Sequence, residues 1–108
     1  MRRVMVRYTV KPDRAEENER LVRDVYDELH RTGPEGIRYA TFRLADGVTF
    51  VHVASVETED GRNPLADVAA FGRFQAAVAE RCDVEPVVTE LTEVGSYRLL
   101  GEAIGASI

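Results

Sequence analysis

Residues 36–57 constrain the fold more than any other stretch of this sequence. Their letters, GIRYATFRLADGVTFVHVASVE, contain two runs of β-branched and aromatic residues on either side of Asp46-Gly47. An Asp-Gly pair readily takes the positive φ angles that a tight hairpin turn needs. We therefore predict a β-hairpin that turns at Asp46-Gly47 and around which the rest of the chain packs.

The position of the turn fixes which residues of the hairpin lie opposite one another. A two-residue loop at Asp46-Gly47 pairs Thr41 with His52, Arg43 with Phe50 and Tyr39 with Ala54. One face then carries Tyr39, Thr41, Arg43, Phe50, His52, Ala54 and Val56. The other face carries Arg38, Ala40, Phe42, Leu44, Thr49, Val51, Val53 and Ser55. Both faces contain apolar residues, so the alternation leaves open which face meets the helices and indicates that both need cover.

A strand and a helix are predicted before the hairpin. Residues 3–11 alternate between apolar and polar side chains, as a half-buried strand does. A helical stripe of apolar residues follows and predicts a helix over 14–32. Asp13 has Glu16 three residues later, as in a capping box, and Gly33 is a stop signal.

A second helix and a last strand are predicted after the hairpin. Asn63 precedes a proline at the start of an amphipathic stretch, so we expect it to cap a helix over 64–82. Gly72 interrupts that stretch, which indicates either a close approach to the sheet or a break between two short helices. Residues 87–94 resemble a strand, with a bulge expected at Gly95-Ser96 before a short β-rich continuation.

The order of elements, β-α-β-β-α-β, predicts an α+β ferredoxin-like sandwich with an antiparallel sheet and with the first and third strands at its centre. We expect one domain over residues 1–108, with a core at 3–100 and a loose tail at 101–108. Two helices cover only one sheet face, and a monomer rarely exposes a contiguous apolar sheet. We therefore predict a homodimer that packs sheet on sheet about a two-fold axis.

Composition excludes several classes of function. The net charge of −5 argues against a nucleic-acid-binding surface, which needs a basic stripe. No run approaches the roughly 20 apolar residues of a membrane span, and the alternating N-terminus does not resemble a signal peptide. The single cysteine and the two separate histidines, His30 and His52, show no metal-ligand spacing. We expect a cytoplasmic protein without a metal.

Two segments resemble a known superfamily. EGIRYATFRLADGVTFVHVASVE, followed by PLADVAAFGRFQAAVAERC, is similar to the dimeric α+β barrel superfamily, nearest to its antibiotic biosynthesis monooxygenase-like domains. The resemblance covers residues 3–100 and rests on hydrophobic pattern rather than on a diagnostic motif. It implies a homodimer that binds its ligand between helices and sheet. Characterised members include cofactor-independent oxygenases of polycyclic phenols, quinol oxygenases and haem-degrading enzymes.

The haem-degrading branch fits this sequence poorly. Its members place an asparagine on the first strand, a tryptophan on the third and an iron-binding histidine on the second helix. The corresponding residues here are Val6, Val56 and either Phe74 or Gln75, and the chain has no tryptophan. Because a haem site needs an axial ligand, we expect no cofactor.

The resemblance places the side carrying residues 52 and 56 towards the helices, and His52 therefore at the pocket. Histidine alone titrates near neutral pH without help, so His52 is the predicted catalytic base or anchor. The predicted substrate-binding residues are Tyr39, Arg43, Thr41, Tyr8, Phe71 and Phe74. The first hypothesis is a cofactor-independent monooxygenase acting on a small phenolic or quinol-type aromatic molecule. The alternative is a non-catalytic dimer for ligand binding or assembly, in which His52 is structural and Phe71, Phe74 and Tyr26 fill the space.

Overall fold

The structure, a computed structural model, describes residues 1–99. The described strands are β1 (Arg2–Val10), β2 (Ile37–Arg43), β3 (Thr49–Val56) and β4 (Cys82–Leu91). They form one antiparallel sheet in the order β2-β3-β1-β4. The predicted α+β ferredoxin-like plan is confirmed, with the first and third strands in the centre.

Three α-helices and two short 3-10 segments complete the described fold. Helix α1 (Ala15–Thr32) follows the 3-10 turn Pro12–Arg14, and α2 (Ala69–Ala76) and α3 (Val78–Arg81) follow the 3-10 turn Pro64–Asp67. Among residues 1–99, no helix combines the length and the apolar character that a bilayer span requires.

The even-numbered side chains of β1 and β3 face the helices. Tyr8 and Phe50 are each 1% exposed, and Val10 is fully buried. They form one core with side chains from the helical segments, namely Val22, Val25, Leu65, Val68 and Phe74. This arrangement decides the point that the alternation left open, and it puts His52 on the covered face.

The hairpin register is confirmed, but the turn differs from the predicted one. Strand β2 pairs with β3 through Thr41 and His52, so the three predicted pairs are correct. The loop is wider than two residues, because the amide of Leu44 donates to the carbonyl of Thr49. Gly47 has a φ of +79°, whereas Asp46 acts through its carboxylate, which accepts from the amide of Thr49 at 2.8 Å. The register is the predicted one because the predicted two-residue loop and the observed wider loop are both centred between Asp46 and Gly47.

The first helix begins differently from the prediction. Arg14 is its N-cap, no side chain caps it, and Asp13 lies in the preceding 3-10 turn. The predicted Asp13–Glu16 capping box is therefore wrong. An ion pair between Arg14 and Glu17, at 2.6 Å, links the turn to the helix instead. Gly33 ends the helix with a φ of +59°, as its position indicated.

The predicted helix over 64–82 is divided into three segments. Asn63 begins them, because its Oδ1 accepts a hydrogen bond from the amide of Leu65 at 2.9 Å. The 3-10 turn ends at Val68, which is extended, and α2 ends at Ala77, whose φ is −134°. Gly72 lies inside α2, and a Cβ added there would meet nothing within 4 Å. Gly72 therefore marks neither a close approach to the sheet nor a break between helices, and nothing in the structure requires a glycine there.

The last strand lies earlier in the sequence than predicted. It covers Cys82–Leu91 rather than 87–94, and its irregular register lies opposite Arg7–Val10 rather than at Gly95. Pro86 is tolerated within β4 because the strand is at the sheet edge. Residues 97–99 are not in a strand, and the predicted tail at 101–108 lies outside the described residues.

Candidate functional site

A cavity of about 570 Å³ lies between the sheet and helices α2 and α3. This is the size of pocket that takes a small organic ligand. Its wall is mostly apolar and aromatic, with a few polar side chains. The residues that line it are Arg2, Val4, Val6, Tyr8, Tyr39, His52, Ala54, Asn63, Leu65, Phe71, Phe74, Gln75, Val78, Pro86 and Val88.

His52 holds two tyrosines at this cavity. Its Nε2 lies 2.7 Å from the hydroxyl of Tyr8, and its Nδ1 lies 2.6 Å from the hydroxyl of Tyr39. The Thr41 hydroxyl is also 3.0 Å from Nδ1. Both ring nitrogens are therefore already hydrogen-bonded within the chain, and the imidazole is only 4% exposed.

The register of the sheet explains why both tyrosines reach the same imidazole. Tyr8 lies directly opposite Phe50, and Tyr39 lies directly opposite Ala54, so His52 is a diagonal neighbour of both. Diagonal neighbours on one sheet face are about 7–8 Å apart, a distance that aromatic side chains can bridge. The alternation of β1, β2 and β3 thus assembles a Tyr-His-Tyr chain without help from a loop.

The hydrogen-bonded chain continues into the helices. The amide nitrogen of Asn18, on α1, donates to the Tyr8 hydroxyl at 2.9 Å. The Nε of Arg81, at the end of α3, donates to Oδ1 of Asn18 at 3.0 Å. Asn18 is fully buried and Arg81 is 1% exposed. A polar network therefore runs from a buried guanidinium through the amide to the phenol and the imidazole.

Arg81 is an unusual buried cation because its side-chain hydrogen bonds go to neutral oxygens. Besides Asn18, it donates from Nη2 to the carbonyl of Phe74 at 2.8 Å. Its guanidinium carbon lies 5.4 Å from the centre of the Phe74 ring, which itself lines the cavity. The positive charge thus sits directly behind one wall of the site, where the low dielectric strengthens its field.

Burial sets the protonation states of the site. It lowers the pKa of the His52 imidazole to about 4 from the ordinary value of 6.5, so the ring is neutral near pH 7. It raises the pKa of Tyr8 above the ordinary value, although the Asn18 hydrogen bond and the Arg81 charge oppose this. It also raises the pKa of Tyr39, and that of Tyr26 to about 12. The phenols therefore remain protonated donors.

Five of the predicted site residues lie together at the cavity. They are His52, Tyr8, Tyr39, Phe71 and Phe74. Thr41 lies one step behind the wall, where its hydroxyl contacts His52 and, at 2.7 Å, the hydroxyl of Tyr26. Tyr26 stacks on Tyr39 rather than filling the cavity. Whether any of these residues binds a substrate stays a prediction.

Arg43 does not line the cavity, in contrast to its predicted placement with His52. Its guanidinium pairs with Glu19 at 2.8 Å and with Glu16 at 3.0 Å, and its Nε donates to the carbonyl of Gly47. It lies at the hairpin end of the sheet, where α1 presents those two carboxylates. Arg43 therefore fastens the hairpin to the helix.

The sequence reasoning missed Asn18 and Arg81. Asn18 lies four residues before Val22 and seven before Val25, so it occupies the buried stripe of α1. Arg81 lies seven residues after Phe74, on the apolar side of the helix predicted over 64–82. A polar residue on an apolar stripe is a detectable signal that a buried network needs it. The same segments contain many exposed charges, which concealed that signal.

No protein-family model matches the sequence, and no curated protein matches it either. Solved structures do match. A protein from Nitrosomonas europaea named "Putative antibiotic biosynthesis monooxygenase" has a TM-score of 0.70 and 17% identity, over 88% of this chain and 100% of that chain. Another, named antibiotic biosynthesis monooxygenase, has a TM-score of 0.66 and 16% identity, over 88% and 100%. Rv0793 from Mycobacterium tuberculosis has a TM-score of 0.64 and 20% identity, over 88% and 96%. The predicted resemblance is thus confirmed, and at these identities it concerns the fold alone.

Proposed function

We propose that this protein binds a small, planar, hydroxylated aromatic molecule in the cavity and oxygenates it without a cofactor. The observation that carries the proposal is the hydrogen-bonded Tyr8–His52–Tyr39 chain on the wall of a cavity of about 570 Å³. The rings of Phe71 and Phe74 lie 6.2 Å apart at the same cavity and offer faces for an aromatic substrate.

The chemistry needs electron density on the substrate and donors for its oxyanion. A phenolate or the carbanion conjugated with it can reduce molecular oxygen. In the net reaction at a methylene carbon, one oxygen atom becomes a carbonyl oxygen. The other leaves as water with the two hydrogens of that carbon, and the substrate supplies the electrons. Tyr39, which lines the cavity and remains protonated, would stabilise the phenolate oxygen as a hydrogen-bond donor.

We propose that His52 anchors the hydroxyls of Tyr8 and Tyr39 and does not act as the base. A group with a pKa of about 4 is a weak base at neutral pH, and both of its nitrogens are already bonded. Burial thus removes His52 from the neutral titration range on which its predicted role as a base depends. The substrate would have to bind as its phenolate, which favours acidic phenols and quinols over simple ones.

A second candidate is a non-catalytic ligand-binding or assembly protein of the same fold. One observation favours it: within residues 1–99, no buried side-chain nitrogen or oxygen lacks a hydrogen-bond partner. A network so completely satisfied can serve as structure alone. The two candidates share the cavity and differ in whether oxygen is consumed.

In either case we propose a homodimer that forms through the outer sheet face. Phe42, Val51, Arg7 and Val87 lie in one row across that face, in the register of the sheet. Phe42 is 53% exposed and Val87 is 59% exposed. A second copy would bury this surface, as the apolar character of the face demands.

A thermal-shift screen with hydroxylated polycyclic aromatics and quinols tests the proposal. A ligand that binds only the folded protein raises the melting temperature. We expect ligands that stabilise the wild type to lose this effect in His52→Gln and to keep it in Arg43→Gln. Arg43 is the control because it is a polar residue of the same sheet face that does not line the cavity. Oxygen uptake with each hit then separates the candidates. Binding without uptake supports the second one, and no hits at all would contradict the first one.

A further inference from the structure

The network at His52 has a fixed direction that begins at Arg81. A guanidinium only donates hydrogen bonds, so the atom of Asn18 that faces it, at 3.0 Å, must be the carbonyl oxygen Oδ1. The amide nitrogen of Asn18 then faces Tyr8 and donates to its hydroxyl oxygen. The Tyr8 oxygen is therefore an acceptor towards α1, and its own proton is available for the other contact.

Two proton orders remain for a neutral imidazole. In one, Tyr8 donates to Nε2 of His52, and the ring proton is on Nδ1 and points to Tyr39. In the other, the ring proton is on Nε2, Tyr8 accepts twice, and Tyr39 donates to Nδ1. Each order leaves a tyrosine proton without use in these contacts: that of Tyr39 in the first and that of Tyr8 in the second.

Burial distinguishes the two orders. Both tyrosines line the cavity, but Tyr8 is only 1% exposed and is enclosed by Phe50, Phe74 and Asn18, so an unused proton there has almost no contact with solvent. Tyr39 is only half-buried and lines the cavity. A buried donor without a partner is costly, so the first order is favoured.

We propose that Arg81 and Asn18 are positioning residues that hold His52 as the Nδ1–H tautomer and thereby make the Tyr39 hydroxyl the donor to the ligand. The matching ligand presents an acceptor oxygen, as a quinone, a ketone or a phenolate does. This ligand class rests on the proposed function, whereas the proton order does not.

Nitrogen NMR of isotopically labelled protein tests the proton order directly. The chain has only two histidines, and His30, which is exposed on α1, is an internal reference. We expect a protonated-type signal for Nδ1 of His52 and an unprotonated-type signal for Nε2. In Asn18→Asp, the carboxylate pairs with Arg81 and accepts from Tyr8, so the two His52 signals should exchange.

Asp27→Asn is the matched control, because it exchanges a carboxylate for an amide on the same helix, at an exposed residue that does not line the cavity. The His52 signals should not exchange in it. A wild-type ring protonated on Nε2, or an Asn18→Asp variant with the wild-type tautomer, overturns the proposal. Should Asn18→Asp fail to fold, Tyr8→Phe is the second variant, since it removes the donor to Nε2 and should reduce the Nδ1–H population.

The ligand class is tested with naphthoquinone, whose oxygens can only accept, against naphthalene, which has none. Tyr39→Phe should weaken naphthoquinone binding on the order of tenfold, the loss of one hydrogen bond, and should leave naphthalene binding unchanged. Equal binding of naphthoquinone by wild type and Tyr39→Phe overturns the donor assignment. If wild type binds no oxygen-bearing aromatic while NMR finds the Nδ1–H tautomer, the proposed function fails and the proton order stands.

Discussion

On the helix-facing side of the sheet, Tyr8 and His52 are almost completely buried, whereas on the outer side Phe42 and Val87 are more than half exposed. The buried side contains the Tyr-His-Tyr chain, and within residues 1–99 every buried polar side-chain atom has a hydrogen-bond partner, on this side through Asn18 and the segments around it. The outer side has an ionic cluster around Arg3 and Ser55 and, elsewhere, apolar groups that no described element covers. The two faces therefore differ in what stabilises them. Buried polar groups are stabilised by hydrogen bonds within the chain, whereas the exposed apolar groups need a second molecule to cover them.

The largest expected effect comes from breaking the inner network at its origin. Arg81→Met leaves Oδ1 of Asn18 and the carbonyl of Phe74 without their buried donor. We expect the free energy of unfolding to fall by about 3 kcal/mol, as measured by urea denaturation. Arg73→Met, on the exposed side of α2, is the control and should change it by less than about 0.5 kcal/mol. Equal effects would mean that the buried network contributes little.

We expect acid to lower the free energy of unfolding, because His52 is protonated more easily in the unfolded chain than in the folded one. Its pKa is about 4 in the folded chain and near the ordinary 6.5 when unfolded, so the unfolded state binds more protons between these values. Stability is fully present above that window and is lost as the pH falls through it, by on the order of 2 kcal/mol from about pH 7 to pH 5. Denaturation curves at both pH values measure this loss.

His52→Gln is the reference for the acid effect, since carboxylates with lowered pKa values, such as Asp46, also reduce stability in acid. The difference between wild type and His52→Gln isolates the imidazole. Parallel pH dependences in the two proteins would contradict a buried neutral ring.

On the outer face, Phe42→Asp should break the dimer without breaking the fold. A two-fold axis would bring both new carboxylates to the same interface, which is unfavourable. We expect the dimer dissociation constant to rise at least about tenfold, as measured by sedimentation, with an unchanged circular dichroism spectrum. Val94→Asp makes a similar change at a fully exposed residue outside the sheet and should not alter association. A wild type that is monomeric at micromolar concentration would contradict the proposed dimer.

The smallest effect concerns the cover over the cavity. Gly72 lies in α2 with open space around its Cα, so Gly72→Ala should raise the free energy of unfolding by about 0.5–1 kcal/mol. Because the added methyl group meets no atom beyond its own helix and chain neighbours, ligand-induced thermal shifts should not change. A loss of ligand binding in this variant would mean that α2 must bend to admit the ligand.

The sequence predicted what depends on local periodicity. The order of elements, the hairpin register and the cap at Asn63 follow from alternation, helical spacing and one side chain next to a proline. The wider turn escaped prediction because Asp46 bonds the backbone through its carboxylate, which competes with the tight Asp-Gly turn. Whether the Asp46 carboxylate or a backbone carbonyl accepts the hydrogen bonds of the turn depends on the three-dimensional geometry, which the sequence alone does not specify.

The candidate site was predicted only where it is built from strands. His52, Tyr8 and Tyr39 followed from one sheet face, since parity places them together. Asn18 and Arg81 come from two helices that are distant in sequence, and their meeting depends on tertiary packing. Arg43 has the correct parity but lies at the strand end, where Glu16 and Glu19 attract it away from the cavity. Parity gives the face of a residue and not its position along the strand.

The tyrosines also give the molecule an optical property. The chain has no tryptophan and four tyrosines, so its near-ultraviolet emission comes from phenols alone. Tyr8, Tyr26 and Tyr39 are hydrogen-bonded around His52 and Thr41, whereas Tyr97 is 81% exposed. An aromatic guest in the cavity would exchange excitation energy with Tyr8 and Tyr39, which line it. Tyrosine emission can therefore report whether a ligand occupies the cavity, without an added dye.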